Sequence, residues 1–165
     1  GMTEQCIGII GASLQDRGKG DMIEKAGIKD APIIAQMALK MWTSHTIDEM
    51  VKDFENIIGQ EESVVFLLTV EQRAVGFAQC QLRHDYVEGT KSSPVGYLEG
   101  IFVEQEVRHK GYAKELLAKC EEWAKEKGCM EFASDCELDN AGSLDFHLKT
   151  GFSEVNRIIC FIKQL

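Results

Sequence analysis

At 165 residues, with 44% apolar and 27% charged side chains, the chain has the size and composition of one globular domain with a substantial core. A net charge of −9 argues against a nucleic-acid polymer as the main partner, since that needs Lys and Arg gathered on a face, and no window of about 18 apolar residues offers a membrane span. The acidity suits a cationic small-molecule substrate, and it equally serves solubility.

The N-terminus lacks the basic-then-apolar order of a secretory signal, so the expected compartment is the cytoplasm. Six cysteines (Cys6, Cys80, Cys120, Cys129, Cys136 and Cys160) include no C-x-x-C pair and no histidine at metal spacing, which predicts reduced, mostly buried thiols and no metal site. Residues 1–21 are glycine-rich and without periodicity, and read as a weakly specified extension. The domain proper is expected over residues 22–165, beginning with a short strand at Met22–Ala26.

Asp30, Pro32 and the stripe Ile33, Ile34, Met37, Ala38 and Met41 predict a helix with an N-cap and an early-turn proline. Thr46 and Glu49 form a capping box ahead of Met50, Phe54, Ile57 and Ile58, and Gly59 closes that second helix. Trp42 and His45 fall in the link between the two. Ser63–Val70 and Ala74–Leu82 read as a hairpin turning at Glu71–Arg73. The polar segment Arg83–Pro94 is long for a connection and is a candidate substrate loop. Tyr97–Val103 reads as a strand and Ala113–Ala124 as an amphipathic helix ending at Gly128. Cys129–Glu137, Asn140–Thr150 and Phe152–Leu165 read as strand, short helix and final strand. The order β-α-α-β-β-β-α-β-α-β suits a mixed α/β sheet better than a doubly wound one.

Between the strand at Tyr97–Val103 and its helix lies Arg108-His109-Lys110-Gly111-Tyr112-Ala113. A strand feeding a helix through a glycine-bearing turn brings unpaired backbone N–H groups and the positive end of the helix dipole to one place, which suits a phosphate. Neither G-x-x-x-x-G-K-[ST] nor G-x-G-x-x-G is present, so neither familiar nucleotide signature explains it. Glu99 interrupts the apolar strand just upstream, where a carboxylate needs a partner or a task.

Val103 through Ala113, as V-x-x-x-x-R-x-x-G-x-A, resembles the acetyl-coenzyme A signature of the GNAT N-acetyltransferases, and Asn140, Phe146, Gly151 and Phe152 resemble that family's later N…F-x-x-x-x-G-F segment. Arg83–Gly89, Ser92–Pro94, Leu98–Val103 and Ala133–Asp135 resemble the aminoglycoside 6′-N-acetyltransferase branch. The resemblance implies an α/β (α+β) fold, a mixed, mostly antiparallel twisted sheet flanked by helices. It implies acetyl-CoA as cofactor, held by Ile101, Phe102, Val103, Arg108, His109, Lys110, Gly111, Tyr112, Ala113 and Asn140. It carries Trp42, His45, Tyr86, Asp135 and Glu137, together with Glu99, to the acceptor side, and it implies a homodimer.

The implied reaction is attack of a primary amine on the acetyl thioester. With a lysine-like pKa near 10.4, about one amine in a thousand is neutral at pH 7, roughly 4 kcal/mol of barrier, so a proton acceptor is useful. Glu99 is the candidate base, against the alternative of a structural strand position. His147 stands where many of the family place a tyrosine that protonates the departing thiolate, and is the candidate acid, against the alternative of a helix-surface histidine. The expected activity is acetyl transfer to the 6′-amine of an aminoglycoside. A polyamine, peptide or protein amine as acceptor, and an acyl-CoA-binding domain without turnover, stay open at this point.

Overall fold

The computed structural model describes residues 20–165; most of the expected extension at residues 1–21, and Cys6 with it, lies outside the described residues. The sheet has five strands in the order β1 (Met22–Lys25), β2 (Ser63–Val70), β3 (Arg73–Arg83), β4 (Val95–Val103) and β5 (Phe132–Ser134). The first four pair antiparallel and β4 pairs with β5 parallel, as expected of a mixed, mostly antiparallel sheet. The helices are α1 (Ala31–Ala38), α2 (Ile47–Ile58), α3 (Tyr112–Glu126) and α4 (Ala141–Lys149).

Local chemistry sets these boundaries. Thr46 and Glu49 form the reciprocal capping box at the start of α2. Asp30 occupies the N-cap position of α1, but its carboxylate accepts from the Gly27 N–H at 2.8 Å instead of capping the helix. Glu71 and Gln72, both left-handed (φ 49° and 66°), turn β2 into β3 in two residues, so β3 starts at Arg73.

Glycines let layers close on both faces of β4. A Cβ on Gly96 would lie 2.7 Å from Ala124 of α3 and from Phe132, and one on Gly100 would lie 2.7 Å from the Trp42 ring. Phe54 of α2 meets Phe77 of β3 edge to face at 5.7 Å, and Phe102 of β4 continues the row at 6.3 Å. Each ring, fully buried, contributes about 2–3 kcal/mol.

Two expectations need correction. The strand expected over Cys129–Glu137 forms only over Phe132–Ser134. The final strand expected over Phe152–Leu165 is not part of the sheet: no secondary structure forms there, and Ile158, Ile159, Phe161 and Ile162 are exposed, Phe161 to 91%. The run has the composition of a strand, but a strand forms only where another strand supplies its hydrogen bonds. The described cysteines are all unpaired; Cys80, Cys120 and Cys129 are buried, Cys136 is half-buried and Cys160 exposed.

Candidate active site

The site is built around a fork in the sheet. On one side β4 pairs with β3 along its length, from Arg83↔Val95 to Gly76↔Val103. On the other side β5 pairs only at Gly96↔Phe132, Tyr97↔Ala133 and Leu98↔Ser134. From Glu99 to Val103 no strand among the described residues pairs with β4 on that edge, which leaves a slot that an extended ligand arm can enter. A β-bulge coincides with the fork: Cys80 pairs with Leu98 and Gln79 with Gly100, so Glu99 is the extra residue opposite nothing on β3.

Beyond the slot, the chain passes through a short 3-10 turn at Gln105–Val107 and then two left-handed residues, His109 (φ 66°) and Gly111 (φ 83°), on either side of Lys110. Gly111 is the N-cap of α3 and has no side chain to cap the first-turn amides; its carbonyl accepts the first helical bond from the Glu115 N–H at 3.2 Å. Alternating backbone handedness ahead of a helix N-terminus turns main-chain N–H groups toward one point and favours an anion there. Arg108 braces the turn, its Nε donating to the Val103 carbonyl at 2.8 Å. Tyr112 and Ala113 are buried in the core. These residues fit the diphosphate of coenzyme A at the turn and its pantetheine arm in the slot, bounded by Ile101, Phe102 and Val103.

The α4 side of the fork is held by polar groups. Buried Asn140 accepts from the Ser143 N–H at 3.0 Å through Oδ1 and so caps α4. His147 is buried, with its ring edge-on to Phe152 at 4.9 Å. Its Nδ1 lies 2.6 Å from the Ser143 carbonyl, which can only accept, so Nδ1 carries the proton and Nε2 accepts from the Ser134 hydroxyl at 2.8 Å. Burial pushes the His147 pKa down, against the smaller opposing effects of the Ser143 carbonyl and the Asp135 charge. The imidazole is thus neutral, with its one ring proton engaged by the main chain.

On the opposite wall four side chains converge. Arg83 Nε and Nη2 both donate to Glu99 Oε1, at 3.1 and 2.8 Å. The Arg83 guanidinium carbon lies 3.4 Å from the Tyr97 ring centroid, and the Tyr97 hydroxyl donates to Asp135 Oδ2. Burial and the neighbouring Asp135 push the Tyr97 phenol well above its usual range. Burial works against ionisation of Asp135, yet the Tyr97 hydroxyl and the Arg83 charge help to hold its carboxyl below the usual range.

The fold thus brings Glu99 and Asp135 together through Arg83 and Tyr97, with Trp42 packed against Gly100 next to Glu99. It does not bring all expected residues to that cluster. His45 is exposed beside Glu49 at 3.8 Å, and Glu137 is exposed. Tyr86 is 77% exposed on a loop anchored by buried Val87 and by Glu131, which accepts from the Lys91 N–H and the Ser92 hydroxyl. Among the described residues no hydrogen bond or ion pair joins His45, Tyr86 or Glu137 to Glu99 or Asp135.

Arg83, Tyr97 and Ser134 escaped sequence reasoning. The local signal for the first two is the alternation Gln79, Gln81, Arg83 on β3 and Val95, Tyr97, Glu99 on β4, but that Arg83 lies diagonal to Tyr97 follows only from the register of the two strands. Ser134 carries no such signal.

Residues 32–152 match the model of the Acetyltransferase (GNAT) family. An aminoglycoside N(6′)-acetyltransferase type 1 from Salmonella typhimurium is 40% identical over 125 residues, 76% of this chain and 86% of that protein. One of the same name from Stenotrophomonas maltophilia is 36% identical over 140 residues, 84% of this chain and 90% of its own. Among solved structures, AAC(6′)-Iy in complex with CoA superposes with a TM-score of 0.86 at 35% identity, covering 91% of this chain and 99% of that one. The same enzyme with the bisubstrate analogue CoA-S-monomethyl-acetylneamine gives 0.84 at 35% identity, covering 89% and 100%.

Proposed function

The chain belongs to the GNAT acetyltransferase family, and from that premise we propose that it transfers the acetyl group of acetyl-CoA to the 6′-amine of an aminoglycoside. The observation that carries this reading is the meeting, at one bulge in β4, of a backbone-built anion turn and slot with a carboxylate cluster suited to a polyamine. We take residues 22–165 as the catalytic domain.

Acetyl-CoA supplies an activated thioester carbonyl. The protein's residues hold and deprotonate the nucleophile. Asp135, fixed by Tyr97, binds an ammonium group by a charge-assisted hydrogen bond. Glu99 Oε2, which accepts no hydrogen bond among the described residues, takes a proton from the reacting ammonium directly or through one water. The neutral amine then attacks the thioester carbon: the C–N bond forms, the C–S bond breaks, and nitrogen loses its second proton. The thiolate takes up one proton, giving amide, free thiol and one proton released overall. An alkyl thiol has a pKa near 8.5, so at pH 7 a thiolate departing into a slot open to water recovers its proton without a dedicated acid. We therefore assign His147, neutral and hydrogen-bonded to Ser134, to holding the α4 side of the fork.

The apolar, unpaired residues from Ile158 to Ile162 and the three-residue edge strand β5 support a homodimer in which this segment pairs with a second copy. Light scattering at micromolar concentration is expected to give twice the chain mass; a monomeric mass would count against the dimer. No helix among the described residues is long and apolar enough to cross a membrane. Unpaired thiols among the described residues and a requirement for acetyl-CoA support action in the cytoplasm.

The decisive experiment follows free thiol released from acetyl-CoA with kanamycin-type aminoglycosides, a polyamine and a lysine peptide. Release with the aminoglycosides is expected. Release only with another amine would move the acceptor class, and no release across the panel would overturn the enzymatic reading.

A further inference from the structure

A difficulty is built into any acceptor site made of carboxylates. The charges that bind an ammonium also stabilise its protonated form, and the protonated amine cannot attack. Glu99 and Asp135 are linked through Arg83 and Tyr97, so an acceptor held by both carboxylates carries that conflict in full unless a positive charge sits with them.

One does. Arg83, the last residue of β3, stacks its guanidinium on the Tyr97 ring, and Tyr97 in turn holds Asp135. Both of its donating nitrogens converge on a single oxygen of Glu99 instead of taking one oxygen each, so Oε1 is doubly engaged and Oε2 stays open. Among the described residues the surrounding charged and titratable groups are Glu99 and Tyr97 on β4, Asp135 after β5, and His147 on α4, which feels Asp135. Neighbouring His84 is turned away onto Glu62 at 2.9 Å. Among the described residues, Arg83 is therefore the cation of the cluster.

We propose that Arg83 is the resident cation of the acceptor site, a positioning residue that clamps one oxygen of Glu99 and whose charge weakens binding of the protonated acceptor while favouring the neutral, reactive amine. The proposal rests on the acetyl-transfer reading above. Stacking on Tyr97 and two-nitrogen engagement of one oxygen call for a planar guanidinium, which a lysine ammonium cannot reproduce although it keeps the charge.

The test compares wild type, Arg83→Gln and Arg83→Lys. Kanamycin binding is measured by calorimetry near neutral pH, and kcat and KM for kanamycin are followed from about pH 6 to about pH 9.5, a range that spans deprotonation of the amine. Loss of the charge in Arg83→Gln is expected to tighten kanamycin binding about three- to tenfold and lower KM, while kcat at neutral pH falls about tenfold. Its kcat is expected to rise with pH later than that of wild type, so the deficit narrows at the alkaline end. Arg83→Lys keeps the charge, so its affinity and the position of its pH limb stay near wild type while kcat falls through loss of the clamp.

The combination of lower KM with lower kcat is one that simple damage to the fold does not produce. KM unchanged or raised in Arg83→Gln, or a pH limb that does not move, would overturn the proposal. If Arg83→Gln does not fold, a displaced limb or several-fold tighter binding in Arg83→Lys would overturn it, and their absence with lowered kcat supports it. Failure of the acetyl-transfer reading shows separately, as wild type that releases no thiol; the calorimetric comparison still decides whether Arg83 opposes cation binding.

Discussion

The coenzyme turn and the acceptor cluster meet at the same strand but are built in different ways. The turn is one continuous segment, Val103 to Ala113, and its capacity to hold an anion lies in backbone geometry: two left-handed residues, a helix start without a side-chain cap, and a strand edge that no strand among the described residues covers. The cluster takes Arg83 from β3, Tyr97 and Glu99 from β4 and Asp135 from beyond β5, and its capacity lies in how these charges are paired. A site made of backbone is specified by where glycine falls. A site made of charges is specified by which side chains the sheet register places together.

The sharpest way to separate the two is to damage each alone. Glu99→Gln is expected to lower kcat by about a hundredfold or more, the scale of a lost general base, while affinity for coenzyme A by calorimetry stays the same. An unchanged kcat would remove Glu99 from the chemistry. Gly111→Val acts on the other region. At φ 83° a β-branched residue costs about 1–2 kcal/mol, so coenzyme A should bind about tenfold more weakly and kanamycin as before. Equal loss of both ligands would mean that turn and cluster are not separable.

The same contrast governs what could be read from the sequence. The turn, the capping box at Thr46 and Glu49 and the β2–β3 hairpin are local, and a spacing of a few residues announces them. Glu99 was legible as an acid in an apolar strand, although the bulge that makes it the unpaired residue depends on β3 and was not. Arg83 and Tyr97 were out of reach for the same reason: their stacking follows from the pairs Gln81↔Tyr97 and Arg83↔Val95, and register is a property of two strands at once. The run Phe152–Leu165 shows the limit from the other side. Its apolar residues state a preference for a strand, but nothing in them names the strand to pair with, and the sheet of this chain does not take it up.

A smaller change probes the inside of the cluster. Tyr97→Phe keeps the ring on which Arg83 stacks and removes only the hydroxyl that Asp135 accepts. The loss is worth about 1 kcal/mol, so the KM for kanamycin should rise about fivefold with kcat near wild type. A large fall in kcat would mean that the hydroxyl takes part in proton transfer and that the cluster is not divided into a binding carboxylate and a reacting one.

The smallest expected effect tests the fork between the two regions through pH. His147 is buried neutral, and its pKa in the folded protein lies below the 6.5 of a free imidazole, because burial penalises its charged form. Between those two values the unfolded chain binds more protons than the folded one, so stability rises with pH through that window and is complete above about pH 6.5. Lowering the pH through the window therefore destabilises the protein. His147→Asn can still donate to the Ser143 carbonyl from a neutral amide and has nothing to protonate, so it should lose less thermal stability than wild type between about pH 7.5 and about pH 5. Identical losses in the two proteins would place a charged imidazole at the fork. Ser134 would then donate its hydrogen bond elsewhere, and His147 would regain the proton that a thiolate acid requires.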